Sequence, residues 1–151
     1  MKKFTFRLDR LLDLRTAFER ERARDLAEAR RTEAERLAEV EASQRRLAAA
    51  TAQVSAAPAG MATAGSLVNL NLAVSRLAAE AEAADAEHQK SAAAAEQELN
   101  RYSEAATARR AVEHLKERRF ADWNEAASRA EQQETDETAL RLSERRGSKR
   151  S

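Results

Sequence analysis

The stretch VSAAPAGMATAGSLVNLNLAVSRL, residues 54–77, decides the fold. It holds the chain's only proline, Pro58, and two of its three glycines, Gly60 and Gly65. Proline lacks a backbone donor and clashes with the preceding helical turn, and glycine loses the most conformational freedom on ordering, so both residue types interrupt helices. On either side of this break, hydrophobic residues recur at steps of three and four, the spacing of one helix face. Downstream, with Ser66 read as the N-cap, Leu67, Leu70, Val74, Leu77, Ala81, Ala84, His88, Ser91 and Ala95 keep that alternation. Upstream, Leu37, Val40, Gln44, Leu47, Thr51 and Val54 do the same, forming an a/d seam with two polar members. The reading is an all-α fold: two long helices in an antiparallel coiled-coil hairpin, the second helix longer.

Working outward, the pattern predicts a single hairpin domain over residues 1–151. Helix one spans about 6–54, the hinge 55–65 and helix two about 66–143, and a frayed basic tail spans 144–151. The opening of helix one carries the densest apolar cluster: Phe4, Phe6, Leu8, Leu11, Leu12, Leu14 and Phe18. The seam then weakens where Arg22, Arg30 and Glu33 stand near apolar positions, which restricts its register. In helix two a slip near Leu99 is expected, the seam restarting at Tyr102, Ala105, Arg109, Val112, Lys116, Arg119, Trp123, Ala126 and Ala130. At 1.5 Å per residue the helices measure about 75 Å and nearly 120 Å. Folding about the hinge sets Phe6 near position 115 and leaves His114 to Leu142 as an overhang. That overhang contains Leu115, Phe120, Leu140 and the only tryptophan, Trp123. Trp123 then either anchors a different protein, as interface tryptophans do, or packs onto Phe4 or Phe6 or into a second copy of the chain.

Composition supports helices and narrows function. Charged residues make up 35% and aromatics 4%, with Ala, Glu, Arg and Leu abundant, the balance of a coiled coil. Disorder is the competing reading of so polar a chain, but the regular spacing of its apolar residues argues for helix. Residues 1–50 carry 13 basic and 10 acidic side chains, residues 51–100 carry 2 and 6, and residues 101–151 carry 12 and 10. The hinge half is thus acidic and the other half dense in both signs, which suits different partners at each end.

Several chemistries find no support. The chain has no cysteine, so neither disulfides nor thiolate metal sites are possible. No phosphate-cradling GxxxxGK[ST] motif occurs, and His88 and His114 stand too far apart for an i, i+4 metal pair. A two-helix hairpin gives neither histidine a pocket for catalysis, so no enzyme, cofactor or metal is expected. The basic pairs Arg30-Arg31, Arg45-Arg46, Arg109-Arg110, Arg118-Arg119 and Arg145-Arg146 raise nucleic-acid binding. In most of them acidic residues such as Glu28, Glu33, Glu113, Glu117 and Asp122 lie within about a turn, so intrahelical pairing accounts for them better. No apolar run follows Met1-Lys2-Lys3 as in a signal peptide, and none approaches the ~18 residues of a membrane span, so a cytoplasmic protein without membrane insertion is expected.

The ends of the chain carry a resemblance. Phe4-x-Phe6-Arg7-Leu8-Asp9-x-Leu11-Leu12-Asp13-Leu14-Arg15, followed by Glu19 and Leu26, resembles the N-terminus of the flagellar FliJ family. Val112-Glu113-x-Leu115-Lys116-Glu117-Arg118-Arg119-x-x-x-Trp123 and Glu131-Gln132-x-x-x-Asp136-Glu137-x-Ala139 resemble its C-terminal signature, in the same helix–hinge–helix order over nearly the whole chain. The resemblance implies a component of the flagellar type III export apparatus, similar to the two-helix stalk of a rotary ATPase gamma subunit. It implies binding in the centre of the hexameric export ATPase, promoting its assembly and activity. It implies contact with the cytoplasmic domain of the export-gate protein FlhA and with export chaperones, and peripheral association with the inner membrane through that apparatus. Carried onto this sequence, the ATPase-binding residues are Phe6, Leu8, Leu11, Leu12, Arg15, Leu115, Arg119 and Trp123, and the gate-binding residues are Leu70, Val74 and Leu77. At the latter place family members often have aromatics where this chain has Leu70, Ala73 and Val74. The alternatives are the equivalent stalk of a virulence-type secretion system and a generic self-associating coiled-coil scaffold. A tRNA-gripping hairpin arm requires a stronger basic bias than this chain has.

Overall fold

The computed structural model describes residues 3–56, 60 and 63–148, with side chains through Arg145. Two helices make up the fold: α1 spans Asp9–Ala56 and α2, the longer, spans Ala64–Ser148. Among the described residues there is no strand. Ala57, Pro58, Ala59, Met61 and Ala62 of the expected hinge, and residues 149–151 of the expected tail, lie outside the described residues.

The helix ends differ from the sequence expectation for local reasons. Helix α1 starts at Asp9, not near Phe6. The Asp9 N–H donates to the Phe6 carbonyl at 3.2 Å, and the Leu12 N–H makes a first helical bond to Leu8 at 2.9 Å. Asp9 places a carboxylate in the first turn, where the helix dipole favours negative charge. At the start of α2 the cap is Thr63, not Ser66. The Ser66 N–H donates to Thr63 Oγ1 at 3.2 Å, and Ser66 Oγ donates to the Thr63 carbonyl at 2.8 Å, so Ser66 is the third helical residue. At the other end α2 runs to Ser148, through Gly147 and past the expected end near residue 143. A glycine ends a helix by turning left-handed, and among the described residues only Gly60 does so, at φ 100°.

The chain divides into two compact units. One joins residues up to Phe18 with those from Ala106 onward, and the other spans Glu19–Ala105. In the second unit the helices run antiparallel: Arg36, Glu39 and Arg46 of α1 lie beside Glu80–Glu87 of α2, while Arg30 and Glu33 lie beside Gln89–Leu99.

The most enclosed positions of this second unit's contact seam, Val40, Ser43, Ala95 and Ala105, are small residues. On α2 the half-buried and buried positions include Leu70, Val74, Leu77, Ala81, Ala84, His88, Ser91, Ala95, Glu98, Tyr102 and Ala105, an unbroken three–four alternation, with half-buried Asp85 and Ala92 beside it. The expected slip near Leu99 is therefore absent. Glu98 takes the seam position and Leu99 stays 40% exposed. On α1 the seam is Val40, Ser43, Leu47, Ala50 and Val54, so Ser43 and Ala50 replace the expected Gln44 and Thr51, and Leu37 faces outward. Small side chains bring the helix backbones close, which leaves no room for Leu37 or Gln44 at the contact. Ser43 is buried at no polar cost, because its Oγ donates to the Val40 carbonyl at 2.9 Å.

Close packing of small groups is weakly stabilising. Each buried methyl contributes about 0.8 kcal/mol, against ~2 kcal/mol for a buried leucine. Much of the helical order is therefore local. Arg30–Glu33, Arg45–Glu41, Lys90–Glu87, Arg101–Glu98, Arg109–Glu113, Arg129–Glu125 and Arg141–Glu137 are ion pairs three or four residues apart. Such pairs add ~0.2–0.5 kcal/mol each. They also occupy one arginine from each of the Arg30-Arg31, Arg45-Arg46 and Arg109-Arg110 pairs.

Candidate interaction surface

The first unit is built on aromatic side chains. Residues 3–8 form a non-helical arm before α1. Along it half-buried Phe4 and Phe6 alternate with exposed Lys3, Thr5 and Arg7. Phe120 and Trp123 stand three residues apart on α2 and so share a helix face. Phe4 meets both: its ring lies 5.3 Å from that of Phe120, edge-on at 77°, and 5.8 Å from that of Trp123, tilted by 52°. Phe120 and Trp123 are 5.9 Å apart and nearly parallel at 26°. These separations are those of favourable aromatic pairs, worth about 0.5–1.5 kcal/mol each beyond the area they bury.

One helical turn nearer the start of α1, Lys116 ties arm to helix twice. Its Nζ donates to Asp9 Oδ1 at 2.7 Å and lies 5.9 Å from the centre of the Phe6 ring. Asp9 meets Lys116 while Phe4 meets Phe120 and Trp123, so this unit too pairs its two segments antiparallel. The expected overhang from His114 is corrected accordingly. The arm covers α2 as far as Trp123, where the Phe4 ring meets the Trp123 ring. From Ser128 to Arg145 every α2 side chain is exposed, Leu140 and Leu142 among them.

Between arm and helix lies a hollow of about 820 Å³. Phe6, Leu8, Leu115, Arg119 and Trp123, five of the residues marked in the sequence, line it together with Lys3, Phe4, Thr5 and Arg7. Leu11 and Leu12 are half-buried and Arg15 is exposed, and none of the three lines the hollow. The sequence places Phe4 and Arg7 in the opening motif and Phe120 in the overhang, but neither they nor Lys3 are among the expected ATPase-binding residues. The alternation Phe4-x-Phe6 and the three-residue spacing of Phe120 and Trp123 are the signals that identify the two aromatics among them.

The residues marked for the gate lie differently. Leu70, Val74 and Leu77 are half-buried seam positions. The open apolar side chains there are Leu67, Val68 and Leu72, 40%, 65% and 57% exposed, with Val68 and Leu72 one turn apart on one face. Burial along the seam, not hydrophobicity, separates the two sets.

Among the described residues no group of three or more His, Cys, Asp or Glu side chains could hold a metal ion. His114 Nδ1 stands 3.4 Å from Glu117 Oε2 on an exposed face, and no described helix is long and apolar enough to cross a membrane.

No curated protein and no solved structure matches the chain significantly. The family model of the flagellar FliJ protein matches residues 3–148, nearly the whole length and both units. The chain belongs to the FliJ family, non-catalytic components of the flagellar protein-export apparatus.

Proposed function

We propose that this chain is a stalk that binds and activates the flagellar export ATPase hexamer and links it to the export gate. The observation that carries this reading is the aromatic, basic-rimmed hollow of the first unit. Trp, Phe and Arg are the side chains that dominate interface energetics, and here Trp123, Phe4, Phe6, Arg7 and Arg119 surround one concavity. In support, five of the residues carried over from the family resemblance as ATPase contacts, Phe6, Leu8, Leu115, Arg119 and Trp123, line this hollow. The acidic first half of α2, with its open Leu67, Val68 and Leu72, is the surface for the FlhA cytoplasmic domain, and export chaperones are further partners. The chain is then cytoplasmic, peripheral to the inner membrane through these contacts, and itself without catalysis. Its effect on ATP hydrolysis is positional: it stabilises the assembled ring by binding it.

The test is direct. Saturating amounts of the purified chain raise the ATP turnover of the cognate ATPase several-fold and shift its mass in sedimentation towards the hexamer. Unchanged turnover and unchanged mass would defeat the proposal. In that case a self-associating scaffold becomes the better reading, visible as a concentration-dependent dimer.

A further inference from the structure

Resting on that reading, we infer that the hollow between the arm and α2 takes an acidic amphipathic segment of the ATPase: large apolar side chains flanked by carboxylates. Charge is the deciding observation. The chain as a whole is balanced, with 27 basic and 26 acidic residues. The lining of the hollow is not: Lys3, Arg7 and Arg119 contribute to it and no acidic residue does. The nearest acidic residue on the arm side, Asp9, has an oxygen bound to the Lys116 ammonium at 2.7 Å. Lys3, Arg7 and Arg119 are all exposed, and among the described residues none has a carboxylate partner within ion-pair distance. They stand apart from the helix faces where arginines pair with glutamates three or four residues away.

The floor is apolar. Phe4, Phe6 and Trp123 are half-buried and present their remaining surface to the hollow, and Leu8 and Leu115 remain 38% and 37% exposed. At about 820 Å³ the space admits several side chains, as from one turn of helix, and not one alone. An apolar floor rimmed by cations selects a segment with the inverse pattern. A basic segment meets repulsion at the rim, and a purely polar one leaves the aromatic floor wet. Opposite charges across a rim act mostly on the association rate and on salt dependence.

The experiment measures binding of the purified full-length chain to the purified ATPase by biolayer interferometry, at ionic strengths from 50 to 500 mM. For the wild-type chain the inference expects at least tenfold weaker binding across that range. The double reversal Arg7→Glu/Arg119→Glu weakens binding at least tenfold at 100 mM salt, mainly through slower association, with helicity unchanged by circular dichroism. Arg45→Glu, which reverses an exposed arginine of the other unit, leaves affinity within twofold. If the double reversal binds like wild type, or wild-type binding ignores salt, the acidic-segment inference is overturned while the ATPase reading stands. If Arg45→Glu weakens binding as much as the double reversal, the attraction is diffuse and the hollow is not its site. If the wild-type chain fails to bind at all, the ATPase reading itself falls and takes the inference with it. Binding of a single-stranded oligonucleotide in preference to the ATPase, abolished by the double reversal, would likewise overturn it.

Discussion

The two units use the same pair of helices in opposite ways. In the Glu19–Ala105 unit, contact is made by the smallest side chains: Ser43 at 1% exposure and Ala95 at 0% are among the most enclosed residues. In the other unit it is made by the largest, and Phe4, Phe6 and Trp123 remain only half covered. Small residues bury completely and leave nothing to offer a partner. Large aromatics in a two-segment unit cannot be covered, so part of each ring stays available. A helical pair thus keeps a partly open aromatic surface by exchanging its small-residue seam for an aromatic cluster beside a non-helical arm. The open apolar residues at the start of α2, Leu67, Val68 and Leu72, differ again, because they stand off the seam and are exposed without any aromatic framework.

The sharpest way to break this contrast is to enlarge the small seam. Ala95→Leu inserts three heavy atoms where no surface is exposed, and overpacking a close contact costs about 3 kcal/mol. Thermal unfolding followed at 222 nm should show a large drop in midpoint. A midpoint within two degrees of wild type would mean that the helices of this unit separate freely and that the small residues do not set their spacing.

A smaller effect is expected from the aromatic end. Phe4→Ala removes two ring contacts, one with half-buried Trp123 and one with exposed Phe120, a loss of about 2 kcal/mol in local stability. Phe4 lies outside α1, so helicity should barely change. The readout is the emission of Trp123, the only tryptophan, which should shift to longer wavelength as water replaces the Phe4 ring. An unshifted spectrum would show that the arm does not cover the tryptophan in solution, and the aromatic half of the comparison would fail.

How much of this was legible beforehand follows from what pattern reading can see. Two helices, their antiparallel sense and the longer second helix follow from Pro58, Gly60 and the three–four spacing. On α2 the seam from Leu70 to Ala95 stands where the spacing puts it, whereas on α1 half of the expected seam is displaced. Val40, Leu47 and Val54 serve two alternative phases, and hydrophobicity favoured the phase containing Leu37. The phase with Ser43 and Ala50 is the one an alanine-rich partner admits. The supposed slip at Leu99 has the same origin. A leucine was preferred to Glu98, yet Glu98 sits on the seam with its Oε1 accepting from Arg101 at 2.6 Å and its buried Oε2 unpaired. At the aromatic end Trp123 and Phe6 stood out by residue type. The arm that joins them to Phe4 did not, because an apolar opening reads as helix until its period of two is noticed.

The contrast is sharpened last by a pair that belongs to neither seam. Glu87 is exposed on α2, and its carboxyl lies below the usual carboxylate range. The main cause is the hydrogen bond from Lys90, then the Lys90 charge, with a smaller contribution from Arg36 of α1. The sign of the linkage follows. A carboxyl that ionises more readily in the folded state adds stability above the unfolded group's range, and loses it as pH falls through the folded value. Because the pair is in water, that contribution is screened and small. Lys90→Ala should therefore move the Glu87 titration, read from its side-chain carbonyl carbon by NMR, back up towards the ordinary range. The unfolding midpoint at neutral pH should stay unchanged within error. A measurable fall in midpoint would mean that surface pairs and not the small-residue seam hold the Glu19–Ala105 unit together, and Ala95→Leu would then have to be reread as a change in helix propensity.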